Sequence, residues 1–199
     1  MKLGLIIVII ILLCVNCYIT KSHPERMTVS DVDGKSYTVK KHFDDHQAAS
    51  NILARLNSIN KTIIDHMEKK YNDTKDEDSV GFLAENYNGD VLSEHTPRTT
   101  TNTSYVLNKG DLIKLCLRDP KTKKIHDFQT ILFVNLHELS HLLDREYGHN
   151  KSFWDSFRVI LKEAIELGIY EPKDYKNNNV QYCGLTITSS PLYDKMVGE

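Results

Sequence analysis

Apolar residues run unbroken from Leu3 to Val15, and Tyr18 and Ile19 carry the run past Asn16 and Cys17. With Lys2 in front, the stretch reads as the core of a signal peptide cut after Cys17, or as a short anchor from Leu3 to Ile19. The lack of a small-x-small cleavage site favours the anchor, and Asn16 favours the cut. Residues 1–20 are therefore expected to be a hydrophobic signal or anchor segment. Residues 21–40 are polar and mixed, with Pro24 and Asp33-Gly34, and predict a stalk leading into a short strand at Tyr37 to Val39. From about Asp44 to Tyr71, Ala49, Ile52, Leu53, Leu56, Ile59, Ile63 and Met67 recur at helical spacing. This predicts one long amphipathic helix with a break near Ser58.

Between residues 72 and 103 the periodicity is lost. Asn72-Asp73, the acidic run Asp76-Glu77-Asp78 and Asn88-Gly89-Asp90 are turn chemistry and predict loop. Ser104 to Leu107 and Leu112 to Leu117 predict two strands, joined as a hairpin by Asn108-Lys109-Gly110-Asp111. Asp127 can then cap a helix running to about Tyr147. Phe128, Leu132, Leu136, Leu139 and Leu143 give it an apolar stripe, while Thr130, Val134, His137, His141 and Asp144 share another face. Gly148 is placed to stop it. Asn150 or Ser152 can cap a further helix, with core face Phe153, Phe157, Ile160, Leu161 and Ala164 and a stop at Gly168. Gln181 to Thr188 predicts a closing extended segment.

The 199 residues suffice for one domain with a core, and 40% hydrophobic with 26% charged residues marks a globular chain. A net charge of −2, with no basic stripe, gives no strong nucleic-acid signal. Cys14 and Cys17 lie in the apolar segment, where thiolates would be poorly solvated, so a metal or redox role is rejected. Cys116 and Cys183 can form one disulfide if the domain is lumenal, or stay as buried thiols if it is not. Asn60, Asn72 and Asn102 head glycosylation sequons. So does Asn150, but a glycan there would crowd the histidine beside it.

That histidine belongs to the pattern carrying the chemistry. His137-Glu138-Leu139-Ser140-His141 reads H-E-x-x-H, and His149 follows behind Gly148. On a helix, His137 and His141 share a face at i and i+4 and can grip one Zn²⁺, with Glu138 beside them to take a proton from water. A catalytic zinc needs a third protein ligand. His149 is the candidate, with Asp144 and Glu146 as alternatives; Asp144 can instead be the carboxylate that orients a ligand histidine. His23, His42, His46, His66, His95 and His126 have no partner at ligand spacing and read as ordinary histidines.

The stretch HELSHLLDREYGHNKSFW, His137 to Trp154, resembles the active-site segment of WLM and SprT-like metallopeptidases, including forms encoded by large DNA viruses. Phe153-Trp154 matches the aromatic pair of those families, and Tyr182-Cys183-Gly184 is similar to a further WLM segment. Seven residues separate His141 from His149, more than the usual WLM spacing. The resemblance implies an α+β, zincin-like domain over residues 41–199: a long N-terminal helix, a small antiparallel sheet, an active-site helix and a following packed helix, behind the N-terminal hydrophobic segment. It implies Zn²⁺ as cofactor, held by His137, His141 and His149, and Glu138 as catalytic base acting on a protein or peptide substrate. Relatives that cut proteins crosslinked to DNA use DNA-binding parts, and no basic tail or second zinc module is seen here, so that substrate is not expected. The expected product is a membrane-tethered metalloendopeptidase, or a secreted or lumenal one after signal cleavage. The alternative is an inactive zinc-binding relative serving as a membrane-anchored binding module.

Overall fold

The computed structural model describes residues 25–97 and 103–196. The predicted hydrophobic segment, the Cys14/Cys17 pair and Asn102 lie outside them. Among the described residues no helix is long and apolar enough to cross a membrane.

Seven strands and four α-helices of the described residues follow in the order β1 (Glu25–Val29), β2 (Ser36–Lys40), α1 (His46–Tyr71), α2 (Glu77–Asn86), β3 (Leu92–His95), β4 (Tyr105–Leu107), β5 (Leu112–Cys116), α3 (Phe128–Leu143), α4 (Lys151–Glu166), β6 (Val180–Tyr182) and β7 (Leu185–Ile187). The first five strands form one sheet in the order β1-β2-β3-β5-β4; β6 and β7 form a separate hairpin. Three differences from the sequence expectation stand out. The sheet is mixed, not antiparallel: β2–β3 and β3–β5 are parallel pairs, β1–β2 and β4–β5 antiparallel. Parallel neighbours need a long crossover, and α1 with α2 supplies it between β2 and β3. Second, the strand expected at Tyr37 to Val39 is present as β2, but Glu25–Val29, expected to be stalk, pairs with it as a further strand, making a hairpin of this sheet. Third, α2 and β3 replace part of the expected loop. The acidic run lies across the N-terminus of α2, where Glu77 and Asp78 face the positive end of the helix dipole. β3 was masked by its own polarity: Glu94 is fully buried, accepting from Lys40 N at 2.7 Å and pairing with buried Arg118 at 2.7 Å.

α1 is one unbroken helix, and Leu53, Leu56, Ile63 and Met67 are buried against the sheet and α3. Polar residues also enter its core face. Asn60 and Asn135 exchange amide hydrogen bonds of 3.2 and 2.6 Å, tying α1 to α3. Asn57 donates to Tyr37 Oη at 2.8 Å and accepts from Tyr87 Oη at 3.1 Å. Asn60 is 1% exposed, so its sequon is closed to a glycan in the folded protein. Asn72, just beyond α1, is exposed. Gly89 packs so closely on Asn57 that a Cβ would lie 2.0 Å from Asn57 Oδ1.

The β4–β5 hairpin forms as expected, in the register Val106↔Ile113. Gly110, at φ +125, leaves no room for a Cβ beside Asn86 O. Cys116, at the end of β5, is joined by a disulfide to Cys183 (Cα–Cα 6.4 Å). Cys183 and Gly184 have φ +51 and +86, as a two-residue type I′ turn between β6 and β7 requires.

Candidate metal centre

α3 begins where the sequence suggests, with the Asp127 side chain accepting from Thr130 N at 3.1 Å. It ends earlier, at Leu143 rather than near Tyr147. Lys109, from the β4–β5 turn, reaches this end and donates to His141 O at 3.0 Å, Asp144 O at 2.5 Å and Glu146 O. A cation there both satisfies carbonyls the helix leaves open and meets the negative end of its dipole. Residues 144–149 therefore form a loop, with Gly148 at φ +90. Asn150 caps α4 by accepting from Phe153 N at 3.1 Å.

This loop turns His149 back towards α3. His137, His141 and His149 each offer a ring nitrogen, and the three lie within 4.8 Å of one another. His137 Nε2 and His149 Nε2 are 3.0 Å apart. Zinc–imidazole bonds of about 2.0–2.1 Å in tetrahedral geometry put ligand nitrogens roughly 3.4 Å apart, so the spacing fits a shared ion. Phe153, fully buried, backs all three rings. It stacks on His141 at 4.2 Å between centroids and meets His137 at 4.8 Å and His149 at 4.6 Å edge-on. Trp154 lies 5.6 Å from His149.

Burial, then the charges of His141 and His149, holds His137 well below the usual imidazole range. Burial, then His149 and Lys109, brings His141 to about 3, and burial lowers His149 as well. All three are thus neutral near pH 7, the form that binds metal. Burial pushes the Glu138 carboxyl the other way, up to about 8. Three imidazoles match the ligand number of catalytic zinc sites, which keep a fourth position for water.

Asp144 is not part of the converging group. Its Oδ1 accepts from Ser152 Oγ at 2.9 Å and Glu146 N at 3.2 Å, so it shapes the loop that carries His149. Glu146 takes a loop position too, accepting from Asn150 Nδ2. Tyr182 is buried, sharing hydrogen bonds with Ser104 Oγ at 2.8 Å and Cys116 O at 2.6 Å. His66, Glu163 and Glu166 also converge, but Lys70 Nζ sits 2.8 and 2.5 Å from the two carboxylates and already provides their cation. Sequence spacing could not have found Lys109, because its reach to α3 depends on where the hairpin packs.

A cavity of about 230 Å³ bordered by β4, Lys109, Tyr147 and Gly148 opens on the histidines and Glu138. A second, of about 400 Å³, opens on His137, Glu138 and His149 from the side of α4 and the β6–β7 hairpin.

Residues 82–194 match the family model of the WLM domain. The chain belongs to the WLM family. Over 195 residues, 96% of each chain, it is 31% identical to uncharacterized protein R325 of Acanthamoeba polyphaga mimivirus. It is 31% identical over 91 residues to a Schizosaccharomyces pombe protein named DNA-dependent metalloprotease WSS1 homolog 2, covering 45% of this chain and 32% of that one. The crystal structure of Wss1 from Saccharomyces cerevisiae aligns with a TM-score of 0.46 at 18% identity, over 65% of this chain and 89% of the other. The viral resemblance seen around the H-E-x-x-H stretch thus extends along nearly the whole WLM chain.

Proposed function

We propose that this WLM protein is a zinc-dependent endopeptidase, with His137, His141 and His149 holding the metal and Glu138 as general base. The observation that carries the reading is the convergence of three neutral imidazoles beside one buried carboxylate, on cavities open to a substrate. The S. pombe relative's name points to the same chemistry.

Zinc bound there would polarise the scissile carbonyl and lower the pKa of an attacking water. Glu138 follows His137 on α3, so helix geometry fixes its carboxylate at the same site. In the metal-free chain burial keeps its carboxyl protonated to about pH 8. Beside a bound dication the carboxylate would be favoured, the form that can accept the water's proton and return it to the leaving amine. Phe153 keeps the imidazoles in place and excludes water behind them. Among the described residues β4 is an outer strand of the sheet, hydrogen-bonded to β5 alone, and it lines the smaller cavity. An extended peptide can add along it through main-chain hydrogen bonds.

The test is Glu138→Gln. This variant should bind about one zinc per chain, as the wild type does, and lose about 10²–10⁴-fold in kcat on a protein substrate. Undiminished cleavage would sink the mechanism. Zinc content without cleavage in the wild type would favour the inactive, metal-holding alternative.

The Cys116–Cys183 disulfide supports placing the domain in an oxidising compartment, as a secreted, lumenal or membrane-tethered protein delivered by its N-terminal apolar segment. Protein recovered from infected or expressing cells should then show neither cysteine open to alkylation before reduction. Full alkylation of both would return the domain to a reducing compartment.

A further inference from the structure

The larger cavity extends away from the histidines towards α4 and the β6–β7 hairpin, and there its lining differs in chemistry from the smaller one. α3 contributes Phe133 and Val134, α4 contributes Trp154 and Phe157, and the β6–β7 hairpin contributes Leu185 and Ile187. Apart from the site's own His137, Glu138 and His149, its described lining holds no histidine, carboxylate, lysine or arginine; its other polar members are serines, threonines and the Tyr182 hydroxyl. At about 400 Å³ it falls in the range of cavities that hold whole small molecules. Ser104, His137, Glu138 and His149 border both cavities, so a chain crossing the metal site from the β4 side enters it at once.

We propose that this cavity is the specificity pocket of the enzyme and takes a large apolar side chain, leucine, methionine or phenylalanine, from the substrate residue next to the cleaved bond. The proposal rests on the peptidase reading for its substrate, and on the cavity alone for its chemistry. Burying such a side chain removes apolar surface from water, whereas a lysine or aspartate would lose hydration with no partner of opposite charge in reach. A hydrophobic pocket of this kind discriminates by about tenfold or more per missing group.

The experiment uses the zinc-loaded full chain and three succinyl hydroxamate peptides. They carry an isobutyl, an aminobutyl or no side chain beside the metal-binding group. Trp154, the single tryptophan of the chain, lines the cavity and reports occupancy by fluorescence. The isobutyl compound should bind at least about tenfold tighter than the other two. Ile187→Lys should abolish that preference while leaving the compound without a side chain unaffected, which shows that the variant is folded. Equal binding of the three, or tighter binding of the aminobutyl compound, overturns the proposal. Cleavage mapping on a peptide mixture separates the two readings. Cuts beside leucine, methionine and phenylalanine support both. Cuts without preference overturn the pocket. An isobutyl preference in binding without any cleavage keeps the pocket and removes the peptidase.

Discussion

Glu138 and the histidines around it pull the stability of the metal-free protein in opposite directions. The folded carboxyl keeps its proton up to about pH 8, while an unfolded glutamate loses it near 4.5. Between those values the folded state holds the extra proton, so this contribution is complete below pH 4.5, falls as pH rises and is gone above 8. For the histidines the sign reverses: their folded pKa values lie below 6.5, so stability is lost as pH drops beneath 6.5. Glu138→Gln isolates the first effect. In chelator-treated protein, the variant and wild type should melt together near pH 4.5. The variant should gain progressively to a plateau above pH 8, by a few kcal/mol or several degrees in Tm. A pH-independent difference between their melting curves would refute this account. At this scale the sequence was most legible. The H-E-x-x-H pattern singled out His137, Glu138 and His141 as candidates, and the glycine before His149 marked a turn; the structure brings the three imidazoles together. For Asn60, a possible glycan site, and Asp144, an alternative ligand or orienting carboxylate, the sequence left the role open, because a sequon and an acidic residue one turn beyond a ligand look the same whether they serve chemistry or packing. Only the tertiary partners, Asn135 for one and Ser152 for the other, decide.

Among the elements, the β4–β5 hairpin does more than supply an outer strand. Its turn residue Lys109 is tied to the carbonyls that end α3 and start the His149 loop. Lys109→Met keeps most of the side chain's bulk and removes the three hydrogen bonds, so the loop should loosen while α3 stays intact. Zinc affinity, measured by competition with a chelating dye, should drop about 10–100-fold, the usual cost of losing a support behind metal ligands. Unchanged affinity would show that the aromatic wall alone holds His149. The hairpin itself was readable from turn chemistry between two apolar runs. α2 and β3 were not. A ten-residue helix burying only Val80 and Leu83, and a four-residue strand whose buried residues are Leu92, Ser93 and Glu94, carry too little apolar pattern to register. Their assignment depends on Arg118 and on the sheet, both distant in sequence.

For the whole molecule, the α+β class and the order of long helix, hairpin, active helix and packed helix could be read along the chain. The mixed sheet could not, because parallel pairing brings together strands that α1 and α2 separate. The architecture gathers the site from both halves of the chain: α1 supports α3 from behind through the Asn60–Asn135 pair, and the hairpin β6–β7 walls the cavity in front. The disulfide joins that wall to the sheet. A cross-link between residues 67 apart stabilises by about 4 kcal/mol through the unfolded chain.

The same cross-link encloses α3, the His149 loop and α4 in a covalent ring, so His137, Glu138, His141 and His149 all lie inside it. The peptidase activity proposed above would also let the protein nick itself or a neighbouring copy, and exposed loops such as residues 145–149 invite it. A single nick anywhere within the ring would leave both pieces attached. Such molecules would keep their full mass on a non-reducing gel and separate into two fragments only when thiol is added.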